Sequence, residues 1–316
     1  MKRETYNRYK HWIPMTVLAG ALVFLALTSR GFLSSENILN VLGVCAFVSI
    51  PAIGLAGIMI SGNFDLSFVG VIGLGSVVSI VMLNAGIPLP VVLATTLMIC
   101  IACEAVNAFI VVRLGVHPWL ATIATMLILL GLEQALSRGE YLALNHPFYE
   151  YLRFGSAATI PVIVLALIAV FAAFVVLYEK TKLGTYLYAV GGNSEAAKKA
   201  GLPTRKLQVV AYLIMGALCW ISSIVYVAKL SGYPPESAYI NQLEVILAVF
   251  FGMAISRRNV INIVGTFVGS VFVMLLSNGL GLMGVHSYWI KLIEGCLVIF
   301  VIIGNSLGRE EIVSYE

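Results

Sequence analysis

Stretches of about 20 predominantly apolar residues recur along the whole chain, and they limit the folds that are open to it. Hydrophobic residues make up 60% of the 316 positions and charged residues 11%, with a mean hydropathy of +0.99. A soluble domain carries roughly 25% charged residues, so this chain lacks the polar side chains to face water on all sides. A backbone in lipid must satisfy its own hydrogen bonds, which favours helices. The sequence therefore predicts an all-α polytopic membrane protein.

Ten apolar stretches are treated as spans, at about residues 12–29, 38–60, 66–84, 89–112, 119–136, 159–177, 207–228, 242–255, 260–278 and 288–305. The chain, 1–316, is interpreted as one transmembrane domain with a short basic segment at 1–11. No A-x-A-like cleavage site follows the first stretch, so we expect it to be retained as a span. Only residues 61–65 separate the second stretch from the third, which suggests a helix broken inside the membrane.

The positions of the basic residues predict the orientation, because loops rich in Lys and Arg stay in the cytoplasm. If the N-terminus is cytoplasmic, five of the 19 Lys and Arg residues lie outside or at an outer span end, and the remaining 14 lie inside. The five are Arg30, Arg138, Arg153, Lys229 and Lys291. This distribution places both termini and the polar loop 178–207 in the cytoplasm.

A weak internal repeat occurs at an offset of 194 residues. The sequence LGSV at 74–77 resembles VGSV at 268–271, and Asn84 matches Asn278. Both segments run the same way in the predicted topology, which indicates a parallel duplication of the kind some transporters have. Chance similarity between spans rich in Gly and Val explains the match equally well.

Several functions are excluded by motifs that the sequence lacks. It has no G-x-x-x-x-G-K-[ST] nucleotide-binding loop, no H-E-x-x-H and no G-x-S-x-G. We therefore expect no cofactor or metal on this chain and no nucleic-acid partner, and any ATP would be hydrolysed by another polypeptide. The five cysteines all fall in apolar stretches without metal-site spacing and are interpreted as packing residues.

Six ionisable residues fall inside or beside the predicted spans, where charge is costly and usually faces the protein interior. They are Asp65, Glu104, Glu133, Glu244, Glu294 and Lys291. Asp65, the only aspartate, either caps the following helix or contributes to a polar pathway. Glu104 and Asn107 share a helix face and suit an interhelical hydrogen bond, and Lys291 and Glu294 have the spacing of an ion pair.

The residues assigned to a candidate substrate pathway are Asn63, Asp65, Glu104, Asn107, Asn241 and Glu244. In contrast, Gly265 and Gly269 form a G-x-x-x-G pattern, which permits close approach of two helices and indicates packing.

The loop 178–207 is the longest strongly polar segment and contains a short helix signal. Asn193 or Ser194 can cap its start, with Glu195 in the first turn. Lys198 and Lys199 stand in the last turn, Glu195 and Lys199 have i, i+4 spacing, and Gly201 ends the helix. Gly191 and Gly192 are expected to form a flexible lead into it. Two helical turns are marginal in water, so this helix needs a partner surface.

Residues 184–201, GTYLYAVGGNSEAAKKAG, resemble the G-R-x-x-Y-A-I-G-G-N-x-x-A-A-x-x-S-G-I signature of ribose-type ABC transporter permeases. SGNFDLS at 61–67 is similar to the family's G-G-I-D-L-S-V-G, and EVILAV at 244–249 to its E-L-x-A-I-A-A-V. The blocks extend over about residues 38–305. The resemblance implies an inner-membrane importer subunit for a sugar or similar small polar solute.

The resemblance also implies the partners. They are a cytoplasmic ATPase that binds ATP and Mg²⁺, a second permease subunit, a periplasmic or lipid-anchored binding protein, and the lipid bilayer. The coupling helix that contacts the ATPase would use Gly191, Gly192, Asn193, Glu195, Ala196, Ala197 and Gly201.

The sequence departs from the family where a glycine-rich segment usually follows the second block. Residues 251–259 read FGMAISRRN, in which most of the usual glycines are missing and Arg257 and Arg258 are present. We therefore expect the divergent half of a heterodimeric permease. An ion-coupled secondary transporter, a membrane-embedded enzyme, and a permease for branched-chain amino acids or nucleosides are the alternatives.

Overall fold

A computed structural model describes residues 12–157, 159–256 and 260–307 of the chain. The basic segment 1–11, Arg257, Arg258 and Arg309 lie outside these ranges.

Helices dominate the described ranges, and the strands are two residues long. The helices are α1 (Trp12–Thr28), α2 (Ser35–Ile60), α3 (Phe68–Asn84), α4 (Leu89–Ala108, continued by a π-helix at Phe109–Arg113), α5 (Pro118–Ser137), α6 (Pro147–Phe154), α7 (Val162–Lys180), α8 (Lys182–Gly192), α9 (Ser194–Lys199), α10 (Thr204–Leu230), α11 (Ser237–Ile240), α12 (Gln242–Ile255), α13 (Ile263–Leu282) and α14 (Ser287–Leu307). The strands are β1 (Leu142–Ala143), β2 (Ser156–Ala157), β3 (Ile160–Pro161) and β4 (Gly232–Tyr233).

Each of the predicted apolar stretches lies mainly on a helix. In the described ranges, 6 helices are long and apolar enough to cross a membrane, namely α2, α4 with its π-helical end, α5, α7, α10 and α13. Three shorter apolar helices are found at Ala19–Thr28, Phe68–Asn84 and Gln242–Ile255. The all-α membrane class is thereby confirmed, whereas the number of crossings stays a prediction.

Helix α2 forms the centre of the molecule. In the most apolar stretch of α2, 89% of the residues are buried, compared with 22% in the corresponding stretches of α4 and α7. It packs against α10, α13, α12 and α7. A membrane helix surrounded by protein needs small residues for close contacts, and α2 supplies Gly54 and Gly57, which lie against Met215 and Tyr178.

Glycine also explains the close approach of α12 and α13. Gly265 lies against the backbone of Gly252, and Gly269 lies against the backbone of Ala248. A side chain at either position would meet main-chain atoms, which cannot rotate away. The G-x-x-x-G pattern thus has the packing geometry expected of it.

Candidate functional site

The segment 61–67, called the connector here, interrupts the chain between α2 and α3. Helix α2 ends at a Gly62 with φ of +86°, and the Gly62 and Asn63 amides donate to the carbonyls of Met59 and Ile58 at 3.1 and 3.2 Å. This is a Schellman ending, which glycine permits because it adopts positive φ at little cost. The chain leaves α2 without starting a new helix until Phe68.

The connector runs along α10 instead of along a membrane surface. Gln208 donates to the Ser61 carbonyl and Tyr212 to the Phe64 carbonyl, each at 3.4 Å. Farther along α10, the Cys219 thiol lies 3.8 Å from the Phe68 carbonyl. From Gln208 to Cys219 the helix rises about 16 Å, so the connector climbs roughly half of a 30 Å hydrocarbon core.

Helix α3 therefore begins deep in the protein. Its 17 residues extend only about 25 Å, less than the hydrocarbon core. The expectation of a helix broken inside the membrane agrees with this arrangement. Irregular backbone at such depth is tolerated where protein or a cavity surrounds it, and the connector is enclosed by α10 and α8.

A buried polar cluster lies where the connector meets α4. The Ser67 amide and hydroxyl both donate to Asp65 Oδ1, at 2.7 and 2.6 Å. From α4, Asn107 donates to the Ser67 hydroxyl at 2.7 Å and to Glu104 Oε2 at 3.3 Å. All four side chains are fully buried. Asp65 thus holds the start of α3, and the same contacts join it to the Glu104–Asn107 pair.

The cluster has unused hydrogen-bonding capacity. Asp65 Oδ2 and Asn107 Oδ1 have no hydrogen-bond partner in the described part of the chain. A buried polar atom without a partner is costly, so such atoms normally bind water or a ligand. Both atoms are oxygens that accept hydrogen bonds, and solute hydroxyl groups and water supply the matching donors.

A second irregular segment joins α10 to α12. After the β1–β4 ribbon, the short helix α11 leads to Asn241, which donates to the Tyr226 hydroxyl at 2.9 Å. Gln242, the first residue of α12, donates to the Leu66 carbonyl of the connector at 3.3 Å. The connector and the segment between α10 and α12 therefore meet at this hydrogen bond, although they are far apart in the sequence.

Glu244 is held by charge. Lys291 of α14 pairs with Glu244 and lies 3.5 Å from Glu294. This agrees with the expected Lys291–Glu294 pair and adds a partner that the sequence did not indicate. Among the described residues, Glu244 shares no hydrogen bond with the Asp65 cluster, so the candidate pathway residues form two separate groups.

Glu133 contacts the segment between α10 and α12. Its carboxylate accepts a 2.6 Å hydrogen bond from the Glu236 amide, and the neighbouring Gln134 side chain contacts the Glu236 carboxylate. Gly73 of α3 lies against the Glu133 carboxylate. The C-terminal end of α5 thereby contacts both α3 and the residue before α11.

The short helix predicted in the polar loop is present as α9. The Asn193 side chain caps it by accepting from the Ala196 amide at 2.9 Å. Gly201, with φ of +85°, ends it, and the Gly201 and Leu202 amides donate to the carbonyls of Lys198 and Ala197 at 3.0 Å. These contacts satisfy backbone groups that a two-turn helix would otherwise expose.

Two expectations about this loop are wrong. Gly191 and Gly192 are not a flexible lead, because they form the last turn of helix α8. Ion pairs in the described ranges involve Lys291 alone, so Glu195 and Lys199 do not pair. Both side chains are exposed, and an exposed i, i+4 pair stabilises a helix by only about 0.3–0.5 kcal/mol.

The exposed surface of α9 differs from its buried side. Ala197 is buried and anchors the helix to the protein, whereas Asn193, Glu195 and Ala196 are exposed. Helix α8 is anchored separately, since Tyr188 donates to Glu179 at 3.2 Å. Burial and the Glu179 carboxylate raise the pKa of Tyr188.

A glycine contact joins the loop to the connector. Gly191 lies so close to Ile60 and Gly62 that a side chain at 191 would meet the Ile60 carbonyl and the Gly62 amide. Gly192, the next residue, has open space around its missing side chain. The end of α8 therefore contacts the start of the connector directly.

Sequence reasoning missed the residues that link these parts. Ser67, Tyr212 and Gln242 were not assigned to the site, yet each contacts the connector or its cluster. Ser67 follows Asp65 at the spacing of an Asx turn, a local signal that was available. Tyr212 and Gln242 carry no local signal, because their partners are far away in the sequence.

The fold and this broken span define a polytopic membrane transport subunit. A family model described as the branched-chain amino acid transport system / permease component matches residues 37–302, and the chain belongs to this family. It is a multi-pass permease component rather than an enzyme.

Among its relatives is the ribose import permease protein RbsC of Escherichia coli strain K12. The two are 27% identical over 293 residues, covering 90% of this chain and 91% of the relative. The Bacillus subtilis strain 168 RbsC is 26% identical, covering 89% and 88%. The galactofuranose transporter permease protein YtfT of E. coli K12 is 28% identical, covering 85% and 79%. The resemblance to ribose-type ABC permeases is thereby confirmed.

Proposed function

We propose that this chain carries a sugar across the bacterial inner membrane as the permease of an ATP-driven importer. The relatives' names refer to ribose and galactofuranose, and the acceptor oxygens of the Asp65 cluster suit a solute rich in hydroxyl groups. Branched-chain amino acids and nucleosides are the alternative substrates. Uptake of labelled pentoses and hexoses, compared with leucine and a nucleoside, distinguishes them.

The observation that carries the proposal is the contact between the loop and the connector. The exposed surface of α9 is available to a cytoplasmic ATPase, Gly191 lies against Ile60 and Gly62, and the connector leads to Asp65. Movement that the ATPase imposes on α9 would reach the buried cluster through this path. Gly191, Gly192, Asn193, Glu195, Ala196, Ala197 and Gly201 remain the proposed coupling residues.

In the proposed topology both termini and the 178–207 loop are cytoplasmic and the chain crosses the membrane ten times. The helix bounds support the parallel repeat. Adding 194 to the bounds of α3 gives 262–278, close to Ile263–Leu282 of α13. Cysteine accessibility at single exposed positions, measured from each side of the membrane, tests this topology.

The proposed assembly contains two permeases, a cytoplasmic ATPase that binds ATP and Mg²⁺, and a periplasmic or lipid-anchored binding protein. We favour a heterodimer because residues 251–259 lack most of the family's usual glycines. A functional importer assembled from this permease alone with the ATPase and binding protein would contradict the heterodimer.

Ion-coupled transport is the second candidate, since the buried Asp65 and Glu104 carboxyl groups face one another around Ser67. Intramembrane carboxyl groups serve as proton relays in many transporters. Uptake that stops without the ATPase gene and survives a protonophore supports the importer, and the opposite pattern supports the ion-coupled transporter.

Substitutions on the exposed surface of α9 test the coupling assignment. We expect Glu195→Lys and Ala196→Trp to abolish transport, because they change the charge or shape presented to the ATPase. Both side chains are exposed, so membrane insertion should stay normal. ATPase recovered in a pull-down and solute uptake are the measurements.

Glu36→Lys is the control, since it makes the same charge change at an exposed position in the first turn of α2. It should retain the ATPase. Full uptake and an unchanged pull-down in the α9 variants would contradict the assignment.

A further inference from the structure

A cleft of about 570 Å³ opens between the end of α4 and the start of α10, away from the connector and its cluster. It is lined by Ala105, Ala108, Phe109, Val112, Arg113, Arg205, Lys206, Val209 and Val210. Six of these nine side chains are hydrocarbon and three are basic, so the cleft is amphipathic.

The basic residues of the cleft have no counter-charge. Arg113, Arg205 and Lys206 are exposed, and ion pairs in the described ranges involve only Lys291. Arg113 is the last residue of the π-helix, and Arg205 and Lys206 stand in the first turn of α10. Three cations thus gather at one end of the cleft.

The π-helix lies within this cleft. Leu114 donates to the Phe109 carbonyl at 3.1 Å, a spacing of five residues. Such turns are rare and frequently occur at functional sites. Phe109, Val112 and Arg113 of this element all line the cleft, and the small Ala105 and Ala108 precede it.

We propose that this cleft binds one anionic phospholipid, with an acyl chain against the alanines and valines and the headgroup phosphate among Arg113, Arg205 and Lys206. Basic pockets between spans at the cytoplasmic level bind anionic lipid headgroups. An apolar cleft suits an acyl chain, and neither a free anion nor a soluble peptide needs that surface. The cytoplasmic position rests on the proposed topology, whereas binding itself does not depend on transport.

The test is native mass spectrometry of the purified full-length permease titrated with phosphatidylglycerol and with phosphatidylcholine. Wild-type protein should retain one phosphatidylglycerol in preference to phosphatidylcholine. A basic residue near the surface strengthens anionic-lipid binding about fivefold. The triple variant R113Q/R205Q/K206Q should therefore bind phosphatidylglycerol about one hundredfold more weakly.

Two further variants distinguish lipid binding in the cleft from general attraction by positive charge elsewhere on the surface. K180Q/K182Q/K199Q removes three exposed positive charges outside the cleft lining, and it should change the affinity less than threefold. Ala105→Phe fills the apolar end and leaves the charges in place, so it should weaken phosphatidylglycerol binding about tenfold.

Equal loss of binding in the triple variant and in K180Q/K182Q/K199Q would overturn the proposal, as would unchanged binding in the triple variant. Displacement of the lipid by millimolar inorganic phosphate would identify a phosphate site instead. If the triple variant retains the lipid but no longer assembles with the ATPase, the cleft is a protein interface instead. Because lipid binding is measured on the permease alone, a failure of transport leaves this result unaffected.

Discussion

The connector 61–67 joins α2 to α3, the α11–α12 corner joins α10 to α12, and the two segments meet at the hydrogen bond from Gln242 to Leu66. They differ in what holds them. Residues 61–64 of the connector are held by the Gly191–Gly62 contact and by two 3.4 Å hydrogen bonds from uncharged side chains, and residues 65–67 by the buried Asp65 cluster. The corner is held by a two-stranded ribbon, the Glu133–Glu236 contact and the Lys291 ion pairs.

This difference indicates a division of roles. Uncharged hydrogen bonds contribute about 0.5–1.5 kcal/mol each, whereas breaking a buried ion pair costs about 3–5 kcal/mol. If α8 moves, residues 61–64 of the connector can therefore change their contacts at a low free-energy cost. The corner resists such change and gives the connector a fixed surface to move against.

The largest effect is expected from Gly191→Ala. The added methyl group meets the Ile60 carbonyl and the Gly62 amide, and overpacking of this kind costs about 1–3 kcal/mol. We expect solute transport to fall more than tenfold, while ATP hydrolysis by the assembled complex continues. Paired uptake and ATPase assays in proteoliposomes measure this.

Gly192→Ala is the matched control, because it makes the same substitution one residue later in the same helical turn, where there is open space. It should transport far better than Gly191→Ala, because the added methyl group meets no backbone atom. Equal losses in both variants would remove the distinction between the two glycines and, with it, the proposed path.

An intermediate effect is expected from Lys291→Met at the corner. Glu244 and Glu294 would remain buried without their counter-charge. Since Lys291 itself is partly exposed, we expect about 2–3 kcal/mol of destabilisation, below the full cost for a buried pair. Thermal unfolding in detergent measures it.

Lys229→Met removes another lysine, in the last turn of α10, one that forms no ion pair in the described ranges. It should unfold close to the wild-type temperature. A second change, Glu244→Gln, should restore part of the stability of the Lys291→Met variant. If Lys291→Met unfolds like wild type, the corner is not held by charge.

The smallest effects are expected from two tyrosines of α10, one that contacts the connector and one that contacts the α11–α12 corner. Tyr212→Phe removes the hydrogen bond to the Phe64 carbonyl, and Tyr226→Phe removes the one from Asn241. Each should cost about 1 kcal/mol. Tyr212→Phe should alter transport more than unfolding, and Tyr226→Phe should alter unfolding more than transport. The reverse pattern would contradict the assignment of roles.

The local features of this chain were predictable from its sequence. The membrane class follows from hydropathy, and helices such as Leu89–Ala108 and Gln242–Ile255 lie where apolar stretches predicted them. The Asn193 cap and the Gly201 ending of α9 were also predicted. These features depend on residues within one or two helical turns, so nearby sequence is enough to specify them.

The sequence predicted a helix broken inside the membrane at residues 61–65, but it did not predict which helix the break packs against. Its short length showed that no ordinary loop was present. Only the contacts of Gln208 and Tyr212 show that the connector rises beside α10. Those partners lie 147 and 148 positions away in the sequence.

What the sequence determined by itself is where helices begin and end and which loop is polar, because capping and hydropathy act locally. Tertiary structure decided that Asp65 joins Glu104 and Asn107, that Gly191 lies against Gly62, and that Lys291 pairs with Glu244 as well as Glu294. Each of these contacts joins separate elements of the fold. Their partners are chosen by the packing of the whole helical bundle, which local sequence patterns do not encode.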